Sequence, residues 1–196
     1  MKKLILLLLF IPFISLSQEL KTEEVVITEG TNYQKGTLIS IDPVVVVESE
    51  GTAQELYQKC IDWLNETYKQ PEEVIKGKIE GEYVKINGSA PNMIQVSALG
   101  SKSFMDTRYT IEFRFKDDRF RMEIISFENY IAPSQYSVIS GWFTQPFSYR
   151  IANRKGKPDK DGEANLNRVK SYFENLAVGL RDFSLGEGMK AVDDNW

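Results

Sequence analysis

Four groups of residues in this chain are of a type that could do chemistry. Glu72-Glu73 and Glu80 with Glu82 are carboxylate pairs, which acid–base catalysis needs with their pKa values driven apart. The first pair follows Pro71 in a turn and the second lies on one face of a strand, without a partner to split it, so both read as surface charge. Cys60 is the single cysteine. A reactive thiol needs a nearby cation or histidine, whereas the neighbours here are Leu56, Ile61 and Leu64, so Cys60 reads as a small buried hydrophobe. Asp159-Lys160-Asp161-Gly162-Glu163 is the third group. With Gly162 at the sixth position of a calcium loop, Lys157 and Arg168 fall at the first and twelfth, where acids are required. The stretch reads instead as a turn and the acidic start of a helix.

The fourth group is aromatic. Tyr130, Tyr136, Trp142, Phe143, Phe147 and Tyr149 crowd a stretch punctuated by Pro133, Pro146 and Pro158. Tyr136, Trp142, Phe143, Phe147 and Tyr149 are the candidate binding residues, since aromatics in such a loop can line a groove for sugar, peptide or an apolar ligand. They can equally lie flat over the core, and the scarcity of exposed aromatics on soluble domains favours packing.

Absences narrow the chemistry further. The chain contains no histidine, which removes histidine-dependent triads and imidazole metal sites. It has no nucleophile elbow, phosphate loop or dinucleotide fingerprint. Catalytic residues, metal ligands and cofactors are therefore expected to be none, and an enzyme is the least favoured reading.

Residues 1–17 read as a signal peptide. Lys2-Lys3 is a basic start, Leu4 to Ile14 an apolar run, and Ser15-Leu16-Ser17 a small-x-small cleavage site before Gln18. The expectation is an exported protein, periplasmic or extracellular, with no transmembrane segment after cleavage. Losing the two leader lysines moves the formal net charge from −4 to −6. Such an acidic exported chain argues against nucleic acid as a partner. A lone cysteine allows no intrachain disulfide, so the core must hold the fold.

The elements that must position these residues centre on Thr107 to Phe127. Tyr109, Ile111, Phe113 and Phe115 alternate with polar residues, and after Asp117-Asp118 so do Phe120, Met122 and Ile124. A period of two puts each apolar set on one face of a strand, and the Asp-Asp pair supplies the hairpin turn. This register sets Phe115 against Phe120, Phe113 against Met122 and Ile111 against Ile124. It also sets Arg114 against Arg121 and Glu112 against Glu123, which opposite charges on the diagonals, Arg114 with Glu123 and Glu112 with Arg121, would offset. Before the hairpin, Val44 to Val47 reads as a strand buried on both faces. Thr52 to Glu55 forms a capping box for a helix ending before Pro71. Val74 to Ile86 is a strand region bent at Gly77 and Gly81. Asn87-Gly88 marks a turn, Met93 to Leu99 is a strand, and Gly100 to Ser103 a loop. After it, Leu166, Val169, Phe173, Leu176, Ala177 and Leu180 form the apolar stripe of a second helix.

In this order the chain resembles a bacterial family of exported proteins, a domain of unknown function (domain of unknown function 4468) with a TBP-like fold. The residues that carry the resemblance are Glu55-Leu56-Tyr57 through Trp63-Leu64, Gly77-Lys78-Ile79-Glu80-Gly81, and Phe115 to Phe120, within residues 44–130. It implies an α+β fold, a β-α-β(4)-α antiparallel sheet with helices packed on one face, and no established chemistry. The division that follows is a signal peptide 1–17, an N-terminal extension 18–42 with short strands at Val25 to Ile27 and at Leu38 to Ile41, and the α+β domain 43–130. An aromatic, proline-rich loop region 131–160, the C-terminal helix 161–184 and a flexible tail 185–196 complete it. The functional expectation is a non-catalytic binding or interaction module whose partner is a protein or a cell-envelope ligand, using the open sheet face or the aromatic stretch. An envelope structural or assembly component is the alternative, and a secreted enzyme without histidine chemistry comes last.

Overall fold

The computed structural model describes residues 22–27, 36–98, 100–133, 139–153 and 155–186. The leader 1–17, Tyr136 and the tail from 187 onward lie outside the described residues. In chain order the elements are β1 (Thr22–Ile27), β2 (Gly36–Ile41), β3 (Val44–Glu48), α1 (Ala53–Thr67) and α2 (Pro71–Val74). They continue with β4 (Ile75–Ile79), β5 (Tyr83–Ala98), β6 (Ser101–Lys116), β7 (Arg119–Ile131), β8 (Gly141–Thr144), β9 (Ser148–Asn153) and α3 (Lys160–Ser184). The main antiparallel sheet runs β3-β7-β6-β5-β4, with β8 also paired to β7, and a smaller sheet runs β1-β2-β9.

The β6–β7 hairpin has the expected register: Phe115 faces Phe120, Phe113 faces Met122 and Ile111 faces Ile124. Phe113, Ile111 and Met122 are fully buried, and the Phe113 ring meets Trp63 of α1 edge-on at 6.1 Å. Arg114 does face Arg121, and Glu112 faces Glu123. The compensation is not diagonal. Arg114 pairs with Glu112 at 2.6 Å and Arg121 with Glu123, each two residues along its own strand, and Lys85 adds a second cation to Glu112 at 3.4 Å. Side chains at i and i+2 share a face, so the same-strand partner is already in reach.

The turn also anchors α1. Asp118 takes a left-handed φ of 62°, a conformation asparagine and aspartate tolerate better than most residues. Its N–H donates to the Gly51 carbonyl at 2.8 Å, and the Asp117 carboxylate accepts from the Ala53 N–H at 2.9 Å. A carboxylate there opposes the helix dipole and takes up a free amide. The expected capping box is present: Glu55 N–H donates to Thr52 Oγ1 at 3.3 Å and Thr52 N–H donates to Glu55 Oε2 at 2.8 Å.

Three expectations are corrected by packing. Val44 to Val47 is buried on one face only. Val45 and Val47 enter the core while Val46 is 48% exposed, because the helices cover a single side of the sheet. Asn87-Gly88 makes no turn, since β5 runs straight through it. Gly88 faces Tyr109, and a Cβ there would lie 2.3 Å from the Tyr109 ring. The glycine serves a close approach rather than a bend. The irregularity of β5 falls instead between Ala90 and Ile94, where Pro91 and the positive-φ Asn92 stand. Residues 101–103 are not loop but the start of β6.

The short strands expected within 18–42 form, and the stretch 131–160 is more regular than its composition suggested. Within 18–42, β1 and β2 form two strands, and Ile41 joins the core. Within 131–160, β8 and β9 form two more. Pro133, Pro146 and Pro158 fall between elements, so they delimit strands instead of preventing them. β9 pairs with β2, which joins the two flanking stretches into the smaller sheet.

Helices α1 and α3 close the inner face of the sheet, with Leu56, Cys60, Trp63 and Leu64 from α1 and Val169, Phe173, Ala177 and Leu180 from α3 buried. Asp159 caps α3 by accepting from the Gly162 N–H at 3.1 Å. Asp161 accepts from Gln95 Nε2 at 2.7 Å, from Ser97 N–H at 2.6 Å and from Ser97 Oγ at 2.9 Å. Those bonds, the Gln95 side chain first, hold its carboxyl below the usual range. The two aspartates of the calcium-like stretch are thus committed, Asp159 to the helix backbone and to Arg150 of β9, Asp161 to β5. Cys60 is fully buried, and burial pushes its thiol far up.

A phenol cluster sits where α1, β6 and α3 meet. The Tyr109 and Tyr172 hydroxyls are 2.8 Å apart and Tyr68 bonds to Tyr109. Burial raises all three, Tyr68 to about 12.

Three outcomes follow from this core. Phe113→Ala should lose about 3–5 kcal/mol in chemical denaturation, and a loss under about 1 kcal/mol would remove the hairpin from the core. Native Cys60 should resist thiol reagents until the protein unfolds, whereas rapid native labelling would contradict its burial. The three phenols favour their neutral form when folded, so their contribution is complete below the ordinary phenol value of about 10. It should decline as pH rises from there through the Tyr68 value of about 12. Native and unfolded protein titrating their phenols together would contradict this.

Candidate functional site

Strand alternation sends the opposite set of side chains to the face that the helices leave uncovered. Arg108 of β6 faces Glu128 of β7, Thr110 faces both Ser126 of β7 and Asn87 of β5, and Tyr130 of β7 faces Trp142 of β8. The β6–β7 register shifts between Thr110 and Ile111, with Thr110 opposite Ser126 and Ile111 opposite Ile124, so Ile125 is the extra residue. Such a bulge re-aims the side chains beside it.

Arg108 is the centre of this cluster. Its Nε donates to Glu128 Oε2 at 2.5 Å, and its guanidinium carbon lies 4.7 Å from the centre of the Trp142 ring. Trp142 is 37% exposed and 5.2 Å from the Tyr130 ring. A cation over an indole face is attracted by the ring's quadrupole, so the ion pair and the ring both hold the guanidinium. Thr110 donates its hydroxyl to Asn87 Oδ1 at 3.0 Å. Next to Arg108 is a depression of about 330 Å³ lined by Asn87, Gly88, Arg108, Tyr109, Thr110, Ser126 and Glu128. Such a volume stands at the small end of ligand clefts.

The four described aromatic candidates do not converge. Trp142 reaches the open face. Phe143, next along β8, is half-buried opposite Asn129. Phe147 packs against Phe127 at 5.8 Å, and Tyr149 packs against the core with its hydroxyl enclosed and unpartnered among the described residues. Tyr136 lies outside the described residues. Arg108, Ser126 and Glu128 were not among the candidate binding residues, and Asn87 was read only as part of a turn. The hairpin register extended without a shift sets Arg108 against Phe127, and only the extra residue Ile125 brings Glu128 opposite it.

Other candidate chemistry disperses. Glu72, Glu73, Glu80 and Glu82 are exposed, and Glu80 accepts from Gln54 Nε2 at 2.9 Å. Among the described residues no three His, Cys, Asp or Glu side chains are grouped to hold a metal ion. A second depression, about 420 Å³, is lined by Val46, Phe120 and the cations Arg114, Lys116, Arg119 and Arg121. Glu112 and Glu123 pair with two of these, and Glu48 stands opposite Arg119, so the surface is of mixed charge. No helix among the described residues is long and apolar enough to cross a membrane.

Residues 44–130, from β3 to near the end of β7, match the family model described as a domain of unknown function (DUF4468) with TBP-like fold. The antiparallel sheet with helices on one face is that TBP-like fold. Two solved structures are similar. A TBP-like protein from Parabacteroides distasonis ATCC 8503 is 16% identical with a TM-score of 0.49, the match covering 72% of this chain and 90% of that one. A DUF4468 family protein from Bacteroides ovatus ATCC 8483 is 16% identical with a TM-score of 0.45, covering 71% and 87%. No curated protein matches the chain.

Proposed function

Starting from its match to the DUF4468 family over residues 44–130, we propose that this chain is an exported, non-catalytic binding module that uses the open face of its sheet. The observation that carries the reading is Trp142, left 37% exposed on the uncovered face with Arg108 fixed against it by Glu128. A large aromatic costs free energy in water, and an aromatic with a fixed guanidinium beside a polar depression is suited to ligand contact. The same cluster favours a binding role over a purely structural envelope component, for which a featureless polar face would serve. Export rests on the basic, apolar and small-x-small order of residues 1–17.

Trp142 reports on the site directly. The protein lacking residues 1–17 should show a saturable fluorescence change with cell-envelope sugars or short peptides, and Trp142→Phe should abolish it. An unresponsive wild-type protein across that panel would contradict the reading. Export predicts an intact mass beginning at Gln18 for protein recovered outside the cytoplasm. Unprocessed protein held in the cytoplasm would contradict it.

A further inference from the structure

We propose that the depression beside Arg108 takes a neutral sugar, an inference that rests on the open face being the binding surface. The charges of the site already cancel, because Arg108 and Glu128 form an ion pair at 2.5 Å. An anionic or cationic ligand would meet a like charge on one of them. A neutral ligand rich in hydroxyls meets neither.

The free hydrogen-bonding capacity is mixed in the way hydroxyls require. The bond to Glu128 uses Arg108 Nε, which leaves the two terminal nitrogens of the guanidinium as donors in a fixed plane. Glu128 keeps Oε1 as an acceptor. Asn87 accepts through Oδ1, which leaves its amide nitrogen to donate. Ser126 lines the same depression with a hydroxyl that can do either. A hydroxyl both donates and accepts, so neighbouring hydroxyls of a sugar ring can satisfy guanidinium, carboxylate and amide together. A hydrocarbon would leave all of them desolvated. Trp142 stands outside the lining and borders the depression through Arg108, whose guanidinium lies 4.7 Å from the indole centre, so a ligand held by Arg108 changes the surroundings of the ring. At about 330 Å³ the depression accommodates a small ring-sized unit rather than a long chain lying within it.

The test is a titration of the protein lacking residues 1–17 with glucose, galactose, mannose and N-acetylglucosamine, read by Trp142 fluorescence. Glucuronate and a short peptide run in parallel. At least one neutral sugar should saturate with a Kd on the order of a millimolar, as the few atoms of one ring allow. That Kd should be unchanged between low and high salt, since no net charge is neutralised. Glu128→Gln and Asn87→Ala should each weaken it roughly tenfold, the loss of about one hydrogen bond to a charged or amide group. Arg108→Lys, which keeps the charge but not the planar fork, should weaken it as much as Arg108→Ala. Circular dichroism and unfolding midpoints near wild type verify that each variant is folded.

If glucuronate or the peptide produces the Trp142-dependent change while all four neutral sugars are silent, the sugar assignment is overturned and the binding face stands. A steep loss of affinity with salt overturns neutrality in the same way. Silence from every probe overturns both.

Discussion

The pairing of Phe113 with Met122 sets the register on which the remaining structure depends. With that pair in place, Tyr109, Ile111, Phe115, Phe120 and Ile124 point to one side, and a shift of one residue would turn all of them into water. The helices pack on that side only, Trp63 meeting Phe113 and Phe173 meeting both Tyr109 and Phe127. The hairpin turn extends the constraint to α1, because Asp117 and Asp118 hold residues 51–53 at the helix start. Loss of this register would release the sheet and the first helix together.

The same alternation produces the opposite face as its by-product. Residues excluded from the core accumulate there in rows, and near the turn these are like charges facing each other across strands. They are relieved by glutamates two positions along rather than by a ligand. Farther from the turn the row changes character, with Arg108, Thr110, Ser126 and Glu128, and β8 adds Trp142 along its border. The part of the face nearest the turn is thus balanced internally. The part beside β8 has guanidinium, carboxylate and amide lining a depression, with Trp142 against the guanidinium, and that is where we propose recognition.

Legibility in the sequence followed how local each cause was. The hairpin register, the Thr52–Glu55 capping box and the burial of Cys60 rest on residues a few positions apart, and each could be read from spacing. Asn87-Gly88 misled because the reason for Gly88 is the Tyr109 ring on the adjacent strand, a contact between residues distant in sequence. The four-residue β8 has no period long enough to detect, and β9 gains its place by pairing with β2 more than a hundred residues earlier. The site is harder still. Arg108, Glu128 and Trp142 come from three strands, and only the ladder joins them. Aromatic content alone could not separate Trp142, which reaches the open face, from Phe147 and Tyr149, which pack inward.

The central claim is that one face of the sheet holds the fold and the other is available for binding. The most direct measurement is the unfolding free energy of the Arg108→Ala, Trp142→Ala double variant in urea, compared with wild type. The account predicts a loss under about 1 kcal/mol with an unchanged slope, the range for surface groups. A loss of about 3 kcal/mol or more, as for a core aromatic, would contradict it and make Trp142 part of the packing.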